Sequence, residues 1–187
     1  MNENFMYGIG AVKYKGNEVG YIAKNSFDMG GTKPESAEVN AEQVPTAPVL
    51  VIPQTNGKIG PKFDMIQLNF ESLHQFLGGT LVKVDGKITG WTAPYAAIAL
   101  TGPWELKLVS GQSVLIPNAT LLSTLAGKLT LTETAKIETE LKLAAPTTKT
   151  KIPPYGVFDS AHLPVEWSEA SGWLLPEEKE SDTQAAV

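Results

Sequence analysis

The stretch of sequence that decides the fold is KLTLTETAKIETELKL, residues 128–143. Its odd positions are mostly apolar, among them Leu129, Leu131 and Leu141, and its even positions are all polar. Alternation with a period of two predicts an antiparallel β-strand with one buried face and one face in water. As a single strand the segment would span about 50 Å, at about 3.3 Å per residue. We therefore expect either one long strand on an extended sheet or two strands with a bend near residues 132–134.

Short β-strands separated by turns account for most of the remaining chain. The 187 residues include 17 Gly and 13 Pro, and Asp85-Gly86 is a strong hairpin signal. Only Glu71–Leu77 has apolar residues at helical spacing, and Gly78-Gly79 can end that helix. The pattern predicts a mainly β fold, namely an antiparallel β-sandwich or barrel with one short flanking α-helix at about residues 71–78.

The character of the sequence changes after Pro146. Pro153-Pro154 cannot belong to a regular strand ladder, and residues 176–187 are acidic and without periodicity. We interpret residues 1–146 as the β domain and residues 147–187 as a C-terminal extension that is partly disordered. Within the extension, residues 165–175 contain two Trp and are candidates for docking on the domain.

Composition and charge argue against several classes of partner. The formal net charge is −5 and every basic residue is a Lys, so the chain lacks the Arg fork that grips phosphates and base edges. We therefore expect no sequence-specific binding of nucleic acid. No apolar run approaches the roughly 20 residues that cross a bilayer, and the first residues do not resemble a signal peptide. These features predict synthesis in a cytoplasm and no membrane partner.

No pattern of residues indicates catalysis, a cofactor or a metal site. The chain has no Cys, and it contains no nucleophile elbow, phosphate-binding loop or metal-binding helix motif. His74 lies in the predicted helix, and His162 follows Asp159 at a spacing that could share a metal but has no third ligand. We expect a protein that is not an enzyme and has no cofactor.

Three aromatic residues leave a second function open. Trp91, Tyr95 and Trp104 are close in sequence, and aromatic faces can stack on sugar rings. This group favours a β-sandwich module that binds glycans as the alternative function. The competing interpretation is that these rings pack in the core, where aromatic side chains are common.

Three stretches of the sequence resemble the tail tube, or major tail, proteins of long-tailed bacteriophages. They are FDMIQLNFESLHQFLGGT (residues 63–80), SVLIPNATL (residues 113–121) and KLTLTETAKIETELKLAAP (residues 128–146). Their order and separation are similar to those of the family over about residues 5–146. The extension after Pro146 exceeds a minimal tube subunit, so a related tail terminator or tip component is also compatible with the resemblance.

The resemblance implies a virion structural protein that assembles with itself and with other tail proteins. Stacked hexameric rings would form a channel for DNA in the virion tail, after synthesis in the cytoplasm of the bacterial host. The polar side of the alternating segment would face the channel: Lys128, Thr130, Thr132, Thr134, Lys136, Glu138, Glu140 and Lys142. A loop within residues 36–61 would reach the next ring through Gln54, Thr55, Asn56, Gly57 and Lys58.

Overall fold

The computed structural model describes residues 5–96, 98–145 and 153–163 in full, and residues 167–168 and 172–173 by their backbone. The described residues form thirteen β-strands and one α-helix. In chain order they are β1 (Ile9–Tyr14), β2 (Asn17–Glu18), β3 (Ser36–Val39), β4 (Leu50–Pro53), β5 (Lys62–Met65), α1 (Phe70–Leu77), β6 (Thr80–Val84), β7 (Lys87–Thr92), β8 (Leu100–Leu108), β9 (Gln112–Ala126), β10 (Lys136–Leu143), β11 (Gly156–Asp159), β12 (Trp167–Ser168) and β13 (Gly172–Trp173).

The strands pair into one large sheet and three small ones. The large sheet has the order β2-β1-β8-β9-β10-β5, and β11 also pairs with β9. Two-stranded sheets form from β3 and β4, from β6 and β7, and from β12 and β13. Every strand pair for which the register is known is antiparallel. The fold is therefore mainly β, of the antiparallel sandwich-like or barrel-like class, which confirms the class predicted from the sequence.

Contacts between residues divide the chain into two compact units. The first contains Met1–Glu18, Gly102–Asn118 and Ala145–Val187, and the second contains Val19–Thr101 and Ala119–Ala144. In the first unit, Val12, Trp104 and Leu106 are completely or almost completely buried. The second unit buries a separate group of apolar side chains from β5, α1, β9 and β10: Phe63, Met65, Phe76, Leu121, Ile137 and Leu141.

The helix lies where its sequence pattern indicates, one residue earlier than predicted. Asn69 caps its start, because the side-chain oxygen accepts a hydrogen bond from the Ser72 backbone N–H at 2.6 Å. Gly78, at φ 75°, ends it with a backbone hydrogen bond to the His74 carbonyl. Asn69 was not recognised as the cap in the sequence, although Asn is among the preferred residues at that position.

The interpretation of residues 128–143 as strand throughout is wrong for the first half of the segment. β9 ends at Ala126, Gly127 turns the chain at φ 101°, and β10 begins only at Lys136. Residues 128–135 form a loop between these strands, and its side chains Leu129 and Leu131 are 82% and 107% exposed. Within the loop, the Thr130 hydroxyl accepts the Glu133 backbone N–H at 2.9 Å, a local bond that competes with strand pairing. Lys128, Thr130, Thr132 and Thr134 therefore do not belong to a strand face.

Part of the predicted C-terminal extension joins the large sheet. β11 pairs with the first part of β9, with Val157 opposite Val114 and Asp159 opposite Gln112. The predicted boundary after residue 146 and the predicted disorder of the last residues fall outside the described residues, and both stay predictions. Residues 165–175 are described only as the short β12–β13 pair.

Candidate assembly surface

One face of the sheet in the second unit is polar and open to water. In β10 the odd side chains Ile137, Thr139 and Leu141 are at most 5% exposed, whereas Glu138 and Lys142 are exposed. The alternation predicted from the sequence is therefore correct for residues 136–143. β10 lies between β9 and β5, so Glu138 stands opposite Thr124 on one side and Asp64 on the other. We call this surface, formed by the outward side chains of β5, β9 and β10, the polar face.

The charged side chains of the polar face are paired with one another. The Lys136 Nζ lies 2.7 Å from the Asp64 Oδ2 and 2.9 Å from the Glu138 Oε1. The Glu140 Oε1 lies 2.5 Å from the Lys142 Nζ and 3.6 Å from the Lys62 Nζ. One lysine thus bridges two carboxylates, and one carboxylate bridges two lysines.

These pairs shift the proton affinities of their central groups in opposite directions. Hydrogen bonds to Asp64 and then Glu138 raise the pKa of Lys136 above its usual value, against the opposing effect of desolvation. The hydrogen bond from Lys142 lowers the pKa of Glu140, with a smaller contribution from Lys62. Both groups therefore remain charged across the neutral range.

The polar face has no net charge. Its lysines, Lys62, Lys136 and Lys142, are matched in number by Asp64, Glu138 and Glu140. An open depression of about 390 Å³ lies on this surface next to Leu122. Because each charge is already neutralised by a neighbour, this surface attracts a polyanion only weakly.

A long antiparallel arm, residues 28–62, is the second feature of this unit. Its two legs are joined by a bridge between Asp28 and Lys62 and another between Thr32 and Lys58. The Gln54 backbone N–H donates to the Glu35 carbonyl at 2.8 Å. β3 and β4 then pair from Ser36 opposite Pro53 to Val39 opposite Leu50.

One face of the arm is apolar and half exposed. Residues directly opposite each other in an antiparallel pair share a face, so Ala37, Ile52, Val39 and Leu50 lie together. Among the larger of these, Val39 is 44% exposed, Ile52 46% and Leu50 52%. The opposite face carries Glu38 paired with Val51, which is 51% exposed. We call the first group the apolar arm face.

The loop predicted to reach a neighbouring ring is part of this arm. Gln54, Thr55, Asn56, Gly57 and Lys58 are all exposed and form the leg that follows β4. The Thr55 hydroxyl accepts the Glu35 backbone N–H at 3.2 Å, and the Lys58 carbonyl accepts the Thr32 N–H at 2.8 Å. The prediction was of a loop, and it included neither the paired strands nor their apolar surface. The missed signal is the uninterrupted apolar run Val49–Ile52, which is unusual for a strand with a wet face.

The three aromatic residues that favoured a glycan module do not form one platform. The Trp104 ring is completely buried and lies 4.7 Å from the Tyr14 ring, so it cannot stack on a sugar. The Trp91 indole N–H donates to the Gly78 carbonyl at 2.6 Å, next to the end of α1. Tyr95 is fully exposed. Burial of Trp104 agrees with the competing interpretation that this ring belongs to the core.

The two histidines each contact a residue close to them in the sequence. The His74 Nδ1 lies 3.0 Å from the Gly79 carbonyl, just beyond the helix. His162 is 85% exposed on its side chain and lies 3.1 Å from Asp159, whose pKa is lowered by the Ala161 backbone N–H and then by His162. Within residues 5–96, 98–145 and 153–163, no three His, Cys, Asp or Glu side chains are placed to hold a metal. No helix in the described part of the chain is long and apolar enough to span a membrane.

No protein-family model matches the chain, and a search of curated proteins found no significant match.

Proposed function

We propose that this protein is a virion structural protein, a tail tube subunit that assembles with copies of itself into stacked rings around a channel for DNA. The single observation that carries the proposal is the arm with its apolar face. The resemblance over residues 5–146 indicates which kind of assembly the protein forms. The exposed apolar face of the arm gives a physical reason for copies to associate.

The apolar arm face gives the protein a surface that water does not favour. Val39, Leu50 and Ile52 are each about half exposed on a two-stranded sheet. Two-stranded sheets are at best marginally stable alone, and unpaired strand edges are ready to pair with another chain. Contact with a neighbouring subunit would cover these side chains and strengthen the arm.

The polar face supports the channel part of the proposal. In the tube, Lys136, Glu138, Glu140 and Lys142 would face water and the passing DNA. Their charges balance those of Lys62 and Asp64, and a channel must let DNA slide without holding it. A neutral, hydrated lining meets that requirement better than a basic one.

The experiment replaces the exposed side chains of the arm without shortening it. Leu50→Thr with Ile52→Thr keeps good strand-forming residues at both positions and should change the free energy of unfolding by no more than about 0.5 kcal/mol each. We expect the wild-type protein at high concentration to form rings or tubes in negative-stain electron microscopy. The double variant should remain a folded monomer in sedimentation velocity.

The matched control is Val109→Thr, which alters a valine that is 63% exposed in the other unit. It should assemble as the wild type does. Tubes of normal length and number from the Leu50→Thr, Ile52→Thr variant would refute the role of the arm. A wild-type protein that stays monomeric at every concentration would count against a tube subunit altogether. Substitution is a more specific test than deletion of residues 54–60. The deletion would remove one leg of the arm and the pairing between the two legs, and so would disturb the whole arm.

A further inference from the structure

We propose that the apolar arm face of one subunit packs against the outer face of the β6–β7 hairpin of a second copy of this chain. This inference rests on the proposed function and identifies the surface that receives the arm. Each surface is half exposed within one chain, so neither covers the other there. In a pair of copies, the apolar arm face of one chain and the hairpin of the other chain are both exposed, so the two can pack together.

The β6–β7 hairpin has one face occupied within the chain and one face free. On the occupied side, Leu81 stands opposite Trp91, whose indole is bonded to the end of α1. On the outer side, Val82 stands opposite Gly90, and Val84 stands opposite Lys87. Val82 is 41% exposed and Val84 is 55% exposed.

Gly90 makes the outer face flat enough for another sheet to approach. A Cβ placed on Gly90 would meet only the Val82 side chain, at 3.7 Å. A glycine within a strand often marks a place where another backbone or ligand comes close. Beside Gly90, the Val82 and Val84 side chains form a narrow apolar stripe.

The two surfaces have matching lengths. On the arm, the stretch available for contact runs from Glu35 to Val39, and on the hairpin it runs from Thr80 to Val84. At about 3.3 Å per residue, each spans about 13 Å. Stacked face to face, the backbones of the two sheets would lie about 10 Å apart, the normal spacing of packed sheets.

The charges at the ends of the two surfaces are complementary and fix their direction. The period of two places Glu35, which directly precedes β3, on the same face as Ala37 and Val39. Lys87 shares the outer face with Val84, at the tip of the hairpin. Within the described parts of the chain, neither Glu35 nor Lys87 takes part in an ion pair. Residues 35–53, which include β3 and β4, contain Glu35, Glu38 and Glu42 and no Lys, so this part of the arm is acidic.

Pairing Glu35 with Lys87 places Ile52 close to Val82, in the middle of the contact. The chain has no cysteine, which makes a cross-linking test clean. Protein with Ile52→Cys is mixed with protein with Val82→Cys at a concentration that supports assembly, and the mixture is oxidised mildly. Because each chain then carries one cysteine, a disulfide can form only between copies.

We expect covalent heterodimers from this mixture. Val51→Cys is the matched control for Ile52→Cys, because Val51 is equally exposed but lies on the other face of the arm. A mixture of the Val51→Cys and Val82→Cys proteins should give far less heterodimer. A charge exchange provides a second readout: Glu35→Lys and Lys87→Glu should each weaken assembly roughly two- to fivefold, as expected for a surface ion pair, and the two changes together should restore it.

Three outcomes would overturn the inference. Equal cross-linking through Val51→Cys, or no heterodimer with either arm variant, would show that the arm packs elsewhere. Failure of the combined charge exchange to restore assembly would show that Glu35 and Lys87 do not meet. If the wild-type protein still forms tubes in those cases, the proposed function stands and only the receiving surface is wrong.

Discussion

At the scale of single residues, two charged side chains of the polar face each form ion pairs with two partners. Glu140 is held by Lys142 and Lys62, and Lys136 is held by Asp64 and Glu138. The pKa of Glu140 is lowered in the folded protein, so its stabilising contribution is present above the ordinary carboxyl pKa and is lost as the pH falls through the lowered value. The pKa of Lys136 is raised, so its contribution is complete below the ordinary lysine pKa and is lost as the pH rises through the raised value.

Lys142→Met should return the pKa of Glu140 toward its usual value, because it removes the hydrogen bond that contributes most to the shift. The measurement is the carboxyl carbon shift of Glu140 in an NMR titration across the acidic range. Lys62→Met is the matched control and should move the titration midpoint less, since its nitrogen is 3.6 Å away rather than 2.5 Å. A midpoint that is the same in Lys142→Met and in the wild type would contradict the pairing.

At the scale of elements, the odd-numbered residues of the alternating segment differ in how deeply they are buried. Leu131 and Leu141 are both odd positions of the pattern in residues 128–143, yet Leu131 is fully exposed and Leu141 is fully buried. Leu131→Ala should therefore change the free energy of unfolding by no more than about 0.5 kcal/mol. Leu141→Ala should lower it by about 2–5 kcal/mol, because it removes buried methyl groups.

Urea unfolding of the two leucine variants measures this difference. The comparison is well matched, since both changes remove the same atoms from the same kind of sequence position. Equal losses of stability in the two variants would mean that the loop is a buried strand, as the pattern alone suggests.

This contrast also shows what the sequence could predict and why it failed where it did. Period two reports which side chains are compatible with a strand face, but a strand also needs a neighbour for its backbone. From Lys136 onward, β9 and β5 provide those neighbours, and the predicted alternation is correct. Before Lys136, β9 has already ended at Ala126 and the chain turns at Gly127. No local pattern in the sequence shows where a neighbouring strand ends.

Local signals predicted the short elements well. Asp85 and Gly86 both have positive φ, at 50° and 80°, as the Asp-Gly hairpin signal requires. Gly102-Pro103, a pair typical of turns, nevertheless lies inside β8. For the candidate surface, the resemblance implied a loop within residues 36–61, where the structure has the paired strands β3 and β4. The apolar arm face was missed because the register between β3 and β4 is set by pairing across a loop.

At the scale of the whole molecule, net charge distinguishes a protein that lets DNA slide past from one that binds DNA. The chain has a net charge of −5 and no Arg, and its polar face is neutral through internal pairing. Affinity for duplex DNA comes largely from lysine and arginine side chains that release counterions from phosphates. The wild-type protein should therefore not retain duplex DNA, even at low salt.

Reversing the acidic half of the polar face should create the affinity that the natural chain lacks. Glu138→Lys with Glu140→Lys changes the face from no net charge to strongly basic, and both positions lie on the surface of β10. This variant should retard duplex DNA in a gel at low salt, and the complex should dissociate as salt is raised. Glu42→Lys with Glu133→Lys makes the same change in total charge at exposed loop positions and should bind less, because its lysines are not surrounded by Lys62, Lys136 and Lys142. Tight binding of DNA by the wild-type protein, or equal binding by the two variants, would contradict the proposal that the polar face is a neutral lining of a DNA channel.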